Sequence, residues 1–505
     1  MLKPSLDDFL ALTEEANMVP IWTEITADYE TPLSVFHKIH DGRYCALLES
    51  AESTDGGGRY SIVSAEPREI LSCQRGRVTI ERPRKGETEE REMDGDPLTE
   101  LEALMSRFRP AKPEGLPPFF GGAIGYLAYD VVRSFEPTIQ APPPDALHVP
   151  DSVFLICDSV VVYDHLLKKI QIIRNVFLEE FETPEAAYAS AEKEIERIGD
   201  QLDDPVGFAP FHSLLEAPPL KRHSNTTQSE YEEMVEKAKE YIRAGDIFQV
   251  VPSQRFSVPY DGGAVTLYRA LRSVNPSPYM FCLEFPDEFA LVGSSPEVHV
   301  KCIDGEVAIR PIAGTRWRGK SPAEDDALAE ELLADPKERA EHIMLVDLAR
   351  NDVGRISNYG EVTVDDLMII ERYSHVMHIV SNVSGTLAEG RSSYDVMRAT
   401  FPAGTVSGSP KVRAMQIINE LEKNKRGAYS GAVGYFGFDG NLDSCIALRT
   451  CVLRNGQAYV QAGAGVVADS VPTSEYQETV NKAMALIRAI EKATALEQEI
   501  RRRGL

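Results

Sequence analysis

Several features that would restrict the location of this chain are missing from its sequence. No run of about 18 apolar residues occurs, so no transmembrane helix is expected. The N-terminal segment MLKPSLDDFLALTEEANMVP lacks the basic and apolar regions of a signal peptide and contains acids early on. We therefore expect a cytoplasmic protein.

Basic residues and paired cysteines are also scarce. The 53 Lys and Arg against 79 Asp and Glu give a formal net charge of −26, which argues against nucleic acid as a partner because phosphate binding requires clustered cations. Any anionic substrate must then meet a local basic pocket. The seven cysteines include no C-x-x-C pair, a pattern typical of reduced, buried thiols.

The order of predicted elements divides the 505 residues into three segments. Residues 1–200 are rich in short strand patterns and end in a polar helix at 184–198. Residues 201–226 contain several prolines and are predicted to be a linker or irregular crossing. Residues 227–505 hold strands and helices that do not alternate as βαβ units, so we predict an α+β fold with antiparallel sheets.

Two glycine-rich segments in the two halves of the chain resemble each other. GGAIGYLAYD (121–130) and SGAVGYFGFDG (430–440) each have the pattern of a strand with aromatic residues on one face. A chance match of strand-like composition explains the similarity. An ancient duplication, with related sheets in each half packing together, explains it equally well.

Two Glu-x-x-Glu pairs, Glu338/Glu341 and Glu475/Glu478, stand near the starts of predicted helices. Residues three apart lie on the same helical face, so each pair can aim two carboxylates at one point. If the two helices converge, four carboxylates surround a small space. Such a cluster requires a hard cation, and oxygen ligands suit Mg²⁺ or Ca²⁺.

Helix capping is the alternative explanation for both pairs. Asp335 followed by Pro336 has the pattern of an N-cap and a first helical residue. Thr473 or Ser474 is the expected cap of the second helix. Acidic residues in a first turn also interact favourably with the helix dipole.

Two glycine-rich loops resemble nucleotide-binding motifs only superficially. Residues 463–468 (GAGVVA) fit a dinucleotide fingerprint, but the following ADSVP cannot begin the required helix. Residues 404–411 (GTVSGSPK) lack P-loop spacing and indicate a turn before a helix. Lys411 and Arg413 then lie in its first turn, where the dipole disfavours cations, so an anion is expected nearby.

Three further polar residues occupy apolar surroundings in the second half. His378 and Tyr429 lie in strand patterns, and Arg449 follows the apolar segment 446–448. A histidine in a strand is usually a core residue. A buried arginine requires an anionic partner, which either a substrate or a protein carboxylate can provide. Acids, glycine-rich backbone, arginine and histidine together suit a small polycarboxylate held through Mg²⁺.

At this level of detail the chain resembles the anthranilate synthase component I family of chorismate-utilising enzymes over nearly its whole length. The segments that carry the resemblance are LLES (47–50), GGAIGYLAYD (121–130), GDIFQVVPSQRF (245–256), NPSPYMFCLEF (275–285), GSSPE (293–297), IRPIAGTRWRG (309–319), EHIMLVDLARNDVGRI (341–356), YSHVMHIVS (373–381), FPAGTVSGSPKVRAM (401–415), YSGAVGYF (429–436) and QAGAGVVADSVPTSEYQET (461–479). The resemblance implies antiparallel sheets packed as a sandwich with helices outside, and 227–505 as the chorismate-binding catalytic domain.

The resemblance also implies a set of ligand-binding residues. Glu341 and Glu478 would be the principal Mg²⁺ ligands, with Glu338 and Glu475 completing an acidic ring. The implied chorismate-binding residues are Gly314, Thr315, Tyr429, Arg449, Gly463, Ala464 and Gly465.

Four residues receive catalytic roles by the same resemblance. Glu297 would be the general acid that protonates the departing 4-hydroxyl while ammonia attacks C2 of chorismate. His378 would serve the second step, in which pyruvate is eliminated to leave anthranilate. Thr405 would line the same pocket. Gln249 stands where isochorismate and salicylate synthases carry a lysine base, and glutamine cannot activate water in that way.

One further departure distinguishes related activities. Aminodeoxychorismate synthases typically carry a nucleophilic lysine in a PIKGT motif, whereas Ala313 stands at that place in PIAGT. Both Ala313 and Gln249 therefore favour anthranilate as the product. An aminating or isomerising relative, and a non-catalytic tryptophan sensor, are the alternative hypotheses.

Regulation and a partner subunit are also implied. Ser50 of LLES, together with Pro278, Tyr279 and Met280, resembles a tryptophan-inhibition pocket to which residues 1–200 contribute. A strand end and a turn are the simpler interpretation of these segments. No Gly-x-Cys nucleophile elbow of a glutaminase occurs, so a separate glutaminase subunit is expected to supply ammonia, in a heterotetramer of two of each chain.

Overall fold

A computed structural model describes residues 1–40, 42–50, 58–207, 217, 219–285, 289–373 and 376–503. Its α-helices are α1 (Leu6–Leu12), α2 (Pro32–Ile39), α3 (Pro97–Met105), α4 (Val132–Phe135), α5 (Pro184–Asp203), α6 (Gln228–Ala244), α7 (Ala264–Val274), α8 (Pro322–Ala334), α9 (Pro336–Gly354), α10 (Ser393–Thr400), α11 (Lys411–Leu421) and α12 (Pro472–Arg503).

The strands alternate irregularly with these helices along the chain. They are β1 (Met18–Thr26), β2 (Cys45–Glu49), β3 (Tyr60–Ala65), β4 (Glu69–Gln74), β5 (Arg77–Arg82), β6 (Glu87–Glu92), β7 (Gly122–Leu127), β8 (Ser152–Cys157), β9 (Ser159–Asp164), β10 (Lys169–Phe177), β11 (His223–Ser224), β12 (Gln249–Val250), β13 (Ser253–Pro259), β14 (Tyr279–Phe285), β15 (Phe289–Ser295), β16 (Val298–Ile303), β17 (Glu306–Ile309), β18 (Ile312–Trp317), β19 (Thr363–Arg372), β20 (Val376–Thr386), β21 (Gly408–Ser409), β22 (Ala432–Gly437), β23 (Leu442–Ile446), β24 (Thr450–Arg454) and β25 (Gln457–Gly463).

Two large antiparallel sheets form the centre of the molecule. The first has the order β1-β10-β9-β3-β2-β14-β15-β24-β25-β13-β11, and the second has the order β18-β20-β17-β16-β23-β22-β7-β8-β4-β5-β6, with β19 also paired to β20. The short strands β12 and β21 form a separate ladder. Each large sheet takes strands from both 1–200 and 227–505, while the three-segment division of the chain stays a prediction.

The two sheets pack face to face, as the predicted sandwich requires. One core cluster joins them: Phe285 in the first sheet and Tyr126 in the second have ring centroids 5.6 Å apart. A second cluster lies on the other face of the first sheet, where α2, α5, α7 and α12 cover residues such as Leu47 and Val292. The predicted α+β class with helices outside the sheets is therefore confirmed.

The two similar glycine-rich segments are neighbours in the second sheet. They form β7 and β22, which pair antiparallel with Gly125 opposite Gly434. A Cβ atom at Gly434 would approach the Asp443 carbonyl oxygen to 2.1 Å, so glycine is required at this position by close backbone approach. The pair joins the first and second halves of the chain at the middle of the sheet.

Short-range sequence patterns explain where α6 begins and ends and where α9 begins. Helix α6 starts with a capping box between Thr227 and Glu230 and ends at Gly245, which has φ +83°. Asp335 caps α9 by accepting hydrogen bonds from the N–H groups of Lys337 (2.9 Å) and Glu338 (3.3 Å).

The predicted caps of α12 were wrong. Thr473 and Ser474 do not cap α12, because this helix already begins at Pro472, which suits a first helical position since it has no N–H to leave unpaired. The segment 249–259 forms two strands, β12 and β13. Pro252 separates them, since it cannot donate to a ladder.

Candidate active site

The acidic starts of α9 and α12 converge although they are far apart in sequence. Burial raises the pKa of Glu341, and the negative charges of Glu338 and Glu478 raise it further. Burial also raises the pKa of Glu475, with Glu478 again adding to the shift. Glu341 therefore interacts with Glu338 of its own helix and with Glu478 of α12, and Glu478 also interacts with Glu475, so the two helix starts are close to each other.

Each of three glutamates also has a polar partner from the protein. Glu341 accepts a hydrogen bond from Gln249 Nε2 at 3.3 Å. Glu478 pairs with Lys482 at 2.7 Å, and Glu338 with Arg316 at 3.4 Å. The donor set consists of carboxylate oxygens, and the pKa values of Glu341 and Glu475 are raised mainly by burial, with the neighbouring carboxylates adding to the shift. These residues fit a hard divalent cation.

A different trio of metal-type ligands lies far from these glutamates along the chain. The ligand atoms of His40, Cys45 and Glu284 are all within 4.8 Å of one another, the only such trio in the part of the chain that the structure describes. The Gly42 N–H donates to His40 Nδ1 at 3.1 Å, so Nε2 carries the proton and donates it to Glu284. Both ring nitrogens of His40 therefore already have protein partners. The trio is therefore a histidine–carboxylate pair beside a thiol.

Glu297 lies in the turn between β15 and β16, where its N–H donates to Ser295 Oγ at 3.3 Å. Burial raises the pKa of its carboxyl group to about 7, although Thr405, Lys482 and Arg449 act in the opposite direction. A carboxyl group with this pKa is partly protonated at neutral pH. It can therefore donate a proton, as a general acid must.

Arg449 lies between β23 and β24 in the left-handed region, with φ +45°. Its side chain makes no hydrogen bond or ion pair within the described residues. Burial lowers its pKa, and the charge of Glu297 acts against that shift. A half-buried guanidinium without a partner, on a strained backbone, is typical of a ligand-binding position.

His378 faces the same space from β20. Its Nδ1 contacts the Gly314 carbonyl oxygen at 2.8 Å and Thr315 Oγ1 at 3.1 Å. A carbonyl only accepts hydrogen bonds, so Nδ1 carries the proton and Nε2 keeps its lone pair. Burial and the charge of Arg449 lower the pKa of His378, which favours this neutral form. Gly314 and Thr315 lie where the β18–β20 register shifts.

The third side of the space is formed by Tyr429 and the end of β25. A Cβ atom at Gly463 would lie 2.8 Å from the Tyr429 hydroxyl, and one at Gly465 would lie 2.8 Å from Gln249 Nε2. Both glycines thus permit close approach to site residues. The Ala464 N–H donates to the Pro252 carbonyl at 3.2 Å and is not available to an anion.

The Thr405 hydroxyl is buried beside the Glu297 carboxyl group. Hydrogen bonding by this hydroxyl lowers the pKa of Glu297, against the larger effect of burial. Glu297 and Thr405 both line one cavity. Thr405 therefore contacts the residue expected to be the general acid.

The anion expected near Lys411 and Arg413 belongs to the protein. Lys411 Nζ lies 2.7 Å from Asp352, and Arg413 lies 2.6 Å from Asp246. The unfavourable interaction of these cations with the helix dipole is therefore offset by protein carboxylates.

Lys482 was missed by the sequence analysis. Its Nζ lies between Glu478 and the Gly463 carbonyl oxygen, which it reaches at 3.1 Å, and its charge also acts on Glu297. The i,i+4 spacing from Glu478 to Lys482 on α12 was the available signal.

The predicted feedback residues lie together at one end of two paired strands. Ser50 directly follows β2, whose last residue Glu49 has Met280 of β14 as its cross-strand partner. Tyr279 points into the space between the sheets, where its hydroxyl donates to Asp443 at 2.9 Å. Met280 points to the opposite face, as alternation along a strand requires.

Comparison with known proteins identifies the family of this chain. A family model described as chorismate binding enzyme matches residues 52–488. Anthranilate synthase component 1 of Acetivibrio thermocellus is 47% identical, covering 98% of this chain and 99% of its own length. The same component of Aquifex aeolicus is also 47% identical, covering 99% of this chain and 100% of its own length.

Solved structures give the same result. The crystal structure of anthranilate synthase component I from Streptococcus pneumoniae TIGR4 matches with a TM-score of 0.75 and 39% identity, covering 86% of this chain and 93% of that one. The menaquinone-specific isochorismate synthase of Escherichia coli shares the fold, with a TM-score of 0.68, at 19% identity over 96% of this chain and 99% of that one.

The chain therefore belongs to the family of chorismate-binding enzymes, in its anthranilate synthase component 1 branch. Among the helices of the described residues, we find none with both the length and the apolar composition needed to cross a bilayer.

Proposed function

We propose that this chain is the chorismate-using subunit of an anthranilate synthase. It would aminate chorismate with ammonia and then eliminate pyruvate to give anthranilate, the first committed step of tryptophan synthesis. The observation that carries the proposal is that Glu297, which lines a cavity, interacts electrostatically with Arg449, and that Arg449 interacts in turn with His378. A general acid, an unpartnered cation and a neutral base are what these two steps require.

Substrate binding rests on Arg449 and Tyr429. The guanidinium has donors that no described protein group uses, and it would pair with a carboxylate of chorismate. The Tyr429 hydroxyl, whose pKa burial raises to about 12, stays protonated and can donate a second hydrogen bond. The close approach allowed at Gly463 and Gly465 brings the ring against the backbone.

The amination step rests on Glu297. Its partly protonated carboxyl group would give a proton to the departing 4-hydroxyl as ammonia attacks C2. General acid catalysis of this kind contributes roughly 10²–10⁴-fold. Gln249 and Ala313 stand where relatives with other products carry lysines, which supports ammonia as the nucleophile.

The elimination step rests on His378. With Nδ1 donating to the Gly314 carbonyl, the free Nε2 lone pair would accept the proton from C2. The C–O bond to the enolpyruvyl group then breaks, pyruvate leaves, and the ring becomes aromatic. Aromatisation makes this step favourable once the C2 proton has a base.

Glu341 and Glu478 would hold Mg²⁺, with Glu338 and Glu475 beside them. Bound Mg²⁺ neutralises a carboxylate of the substrate and orients the ring. The convergence of α9 and α12 and the raised pKa values of Glu341 and Glu475 support this assignment.

We also propose a glutaminase partner and feedback by tryptophan. The relatives are named as component 1, which implies a second component, and a heterotetramer of two of each chain would deliver ammonia from glutamine. Tryptophan would bind beside Ser50, Pro278, Tyr279 and Met280. The buried free cysteines support a reducing cytoplasm as the place of this reaction.

A structural connection between the two sites supports feedback. Met280 pairs with Ser294 of β15, and the Ser294 N–H donates to the Arg449 carbonyl at 3.1 Å. Tyr279 pairs with Ser295, whose hydroxyl accepts from the Glu297 N–H. A ligand that shifts the start of β14 would therefore move the backbone that carries Arg449 and Glu297.

The product formed from chorismate tests the proposal. Incubation of the chain with chorismate, ammonium and Mg²⁺ should give fluorescent anthranilate and pyruvate in equal amounts. Isochorismate or aminodeoxychorismate as the sole product would reject it. Failure to consume chorismate, with tryptophan still bound, would instead identify a tryptophan sensor.

Matched glutamate variants test the metal ligands. We expect Glu341→Ala to abolish Mg²⁺-dependent turnover, whereas Glu338→Ala, whose carboxylate already pairs with Arg316, should weaken Mg²⁺ dependence less. Activity should be lost with a chelator and restored by Mg²⁺. Equal effects of the two substitutions would contradict the assignment of Glu341 as a principal ligand.

A further inference from the structure

Arg426 is one of the largest fully buried side chains of the molecule, with 2% of its surface exposed. It lies in the connection between α11 and β22, and sequence analysis gave no reason to select it. A buried guanidinium is stable only when its charge and its donors are satisfied. The groups that surround Arg426 therefore indicate its role.

All five N–H donors of Arg426 have acceptors inside the protein. Nε and one Nη2 donor bind the Glu422 carboxylate at 2.9 and 2.6 Å. The other Nη2 donor binds the Val251 carbonyl at 2.6 Å. The two Nη1 donors bind the Val406 carbonyl at 2.9 Å and Ser430 Oγ at 3.3 Å. No donor remains for a substrate.

The acceptors are neighbours of proposed site residues on three separate segments. Val251 is two residues from Gln249, Val406 follows Thr405, and Ser430 follows Tyr429. The guanidinium also lies 5.5 Å from the centroid of the Tyr429 ring. One planar group therefore ties together the backbone of three segments that each present a different side chain to the substrate space.

Glu422 extends the same network to a fourth segment. Its Oε1 accepts hydrogen bonds from the Ser253 N–H at 2.8 Å and the Ser253 hydroxyl at 2.7 Å. Ser253 is the cross-strand partner of Gly463 in the β13–β25 ladder. The carboxylate thus fixes the strand against which Gly463 is aligned, while it neutralises Arg426.

We propose that Arg426, held by Glu422, is a positioning residue for catalysis: it sets the relative positions of Gln249, Thr405, Tyr429 and Gly463. The inference rests on the proposed function for the identity of these site residues. Arg426 acts through the backbone of these segments and does not itself contact the substrate. Lysine cannot replace it, because an ammonium has three donors and no planar fork.

Arg426→Lys, compared with Arg84→Lys, tests the proposal. Arg84 forms a bidentate pair with fully buried Asp158 at 2.5 and 2.8 Å and binds the Glu66 carbonyl, and it contacts no site residue within the described ranges. Both variants lose a bidentate ion pair and should unfold at lower temperature. Only Arg426→Lys should lose activity while folded.

For folded Arg426→Lys we expect kcat/KM for chorismate to fall roughly 10- to 100-fold, since displacements of about 1 Å at a site have effects of this size. A kcat/KM within threefold of wild type, or a loss equal to that of Arg84→Lys, would overturn the proposal.

Ser430→Gly keeps the proposal testable if Arg426→Lys does not fold. Glycine removes one Arg426 acceptor and suits the φ of +64° at this position, so the chain should fold. Loss of one hydrogen bond should lower kcat/KM by roughly three- to tenfold. An unchanged kcat/KM in Ser430→Gly would overturn the proposal.

The design separates this inference from the proposed function. The ratio of chorismate consumption by variant and wild type measures positioning, whatever product forms. The identity of the product tests the reaction itself. If the wild-type chain makes another product, the proposed reaction is rejected. The ratio of chorismate consumption by variant and wild type still tests the positioning role of Arg426.

Discussion

Arg426 and Arg449 lie 23 residues apart in the same half of the chain, and their side chains have opposite surroundings. Every donor of Arg426 has a protein acceptor, and a buried carboxylate neutralises its charge. Arg449 has neither within the described residues. In the sequence, Arg449 follows the apolar segment 446–448, whereas Arg426 follows the polar segment 422–425 (EKNK).

This difference distinguishes two sides of the site. On the side that we call closed, other protein groups satisfy the polar groups, and on the side that we call open, polar groups are available to a ligand. On the closed side, Arg426, Glu422, Ser253 and Ser430 satisfy one another, as expected of groups that maintain a geometry. On the open side, Arg449 makes no hydrogen bond or ion pair within the described residues, and Glu297 has a raised pKa. Polar groups without partners lower the stability of the folded chain, and a bound ligand would supply those partners.

Glu297→Gln should give the largest effect on the open side. Glutamine keeps the size of the side chain and cannot donate a proton as an acid, so kcat/KM for chorismate should fall by about 10²–10⁴-fold. In the wild type, kcat/KM should fall as pH rises above about 7, where Glu297 loses its proton. Steady-state rates at pH 6 to 9 provide the measurement. A wild-type profile without this decline would contradict the acid role.

Arg449→Met should have the next largest effect and sharpen the comparison most directly. Loss of the guanidinium should lower kcat/KM by roughly 10²–10³-fold, because a buried charge pair with the substrate is lost. The thermal midpoint should be unchanged or higher, since an unpartnered buried charge is removed.

Arg426→Lys supplies the matched comparison by calorimetry, because its midpoint should fall. A lower midpoint in Arg449→Met would mean that the two arginines do not differ as described.

Thr405→Val should have a smaller effect of the same kind. Valine has nearly the shape of threonine, so the substitution removes the hydroxyl that lowers the pKa of Glu297 and changes the packing little. Turnover should fall by roughly tenfold if that hydroxyl contacts the reacting ring. Thr405→Ser, which keeps the hydroxyl, is the control and should retain most of the activity.

The smallest expected effect is on the pH dependence of stability. The folded pKa of Glu297, about 7, lies above its ordinary value of 4.5, so the folded chain binds an extra proton between these values. Stability therefore falls as pH rises from about 4.5 to 7 and is constant above. The Glu297→Gln variant has no carboxyl group to titrate at this position, so its stability should not fall in this way. Its thermal midpoint should therefore exceed that of the wild type at pH 8 by roughly 1–3 °C and match it near pH 4.5. Parallel midpoints across this range would contradict the raised pKa.

Sequence analysis predicted the elements of the site better than their arrangement. The Glu-x-x-Glu pairs and the Asp335 cap follow from contacts within one helical turn, and both pairs lie at converging helix starts. The anion near Lys411 was correctly expected but wrongly left open to a ligand, because Asp352 is 59 residues away along the chain. Lys482 and Arg426 each have a carboxylate four residues earlier, Glu478 and Glu422, but the contacts that tie them to the site belong to other segments.

The sequence alone determined the local geometry: the helix ends set by Thr227 and Gly245, the alternating strand patterns, and the spacing that puts two carboxylates on one helical face. Only the tertiary structure decided which strands from the two halves pair, that β7 lies beside β22, and that Arg426 is satisfied while Arg449 is not. Capping and periodicity act over three or four residues, so they can be read directly from the chain. Burial and pairing depend on segments hundreds of residues apart, and the raised pKa of Glu297 exists only once those segments exclude water around it.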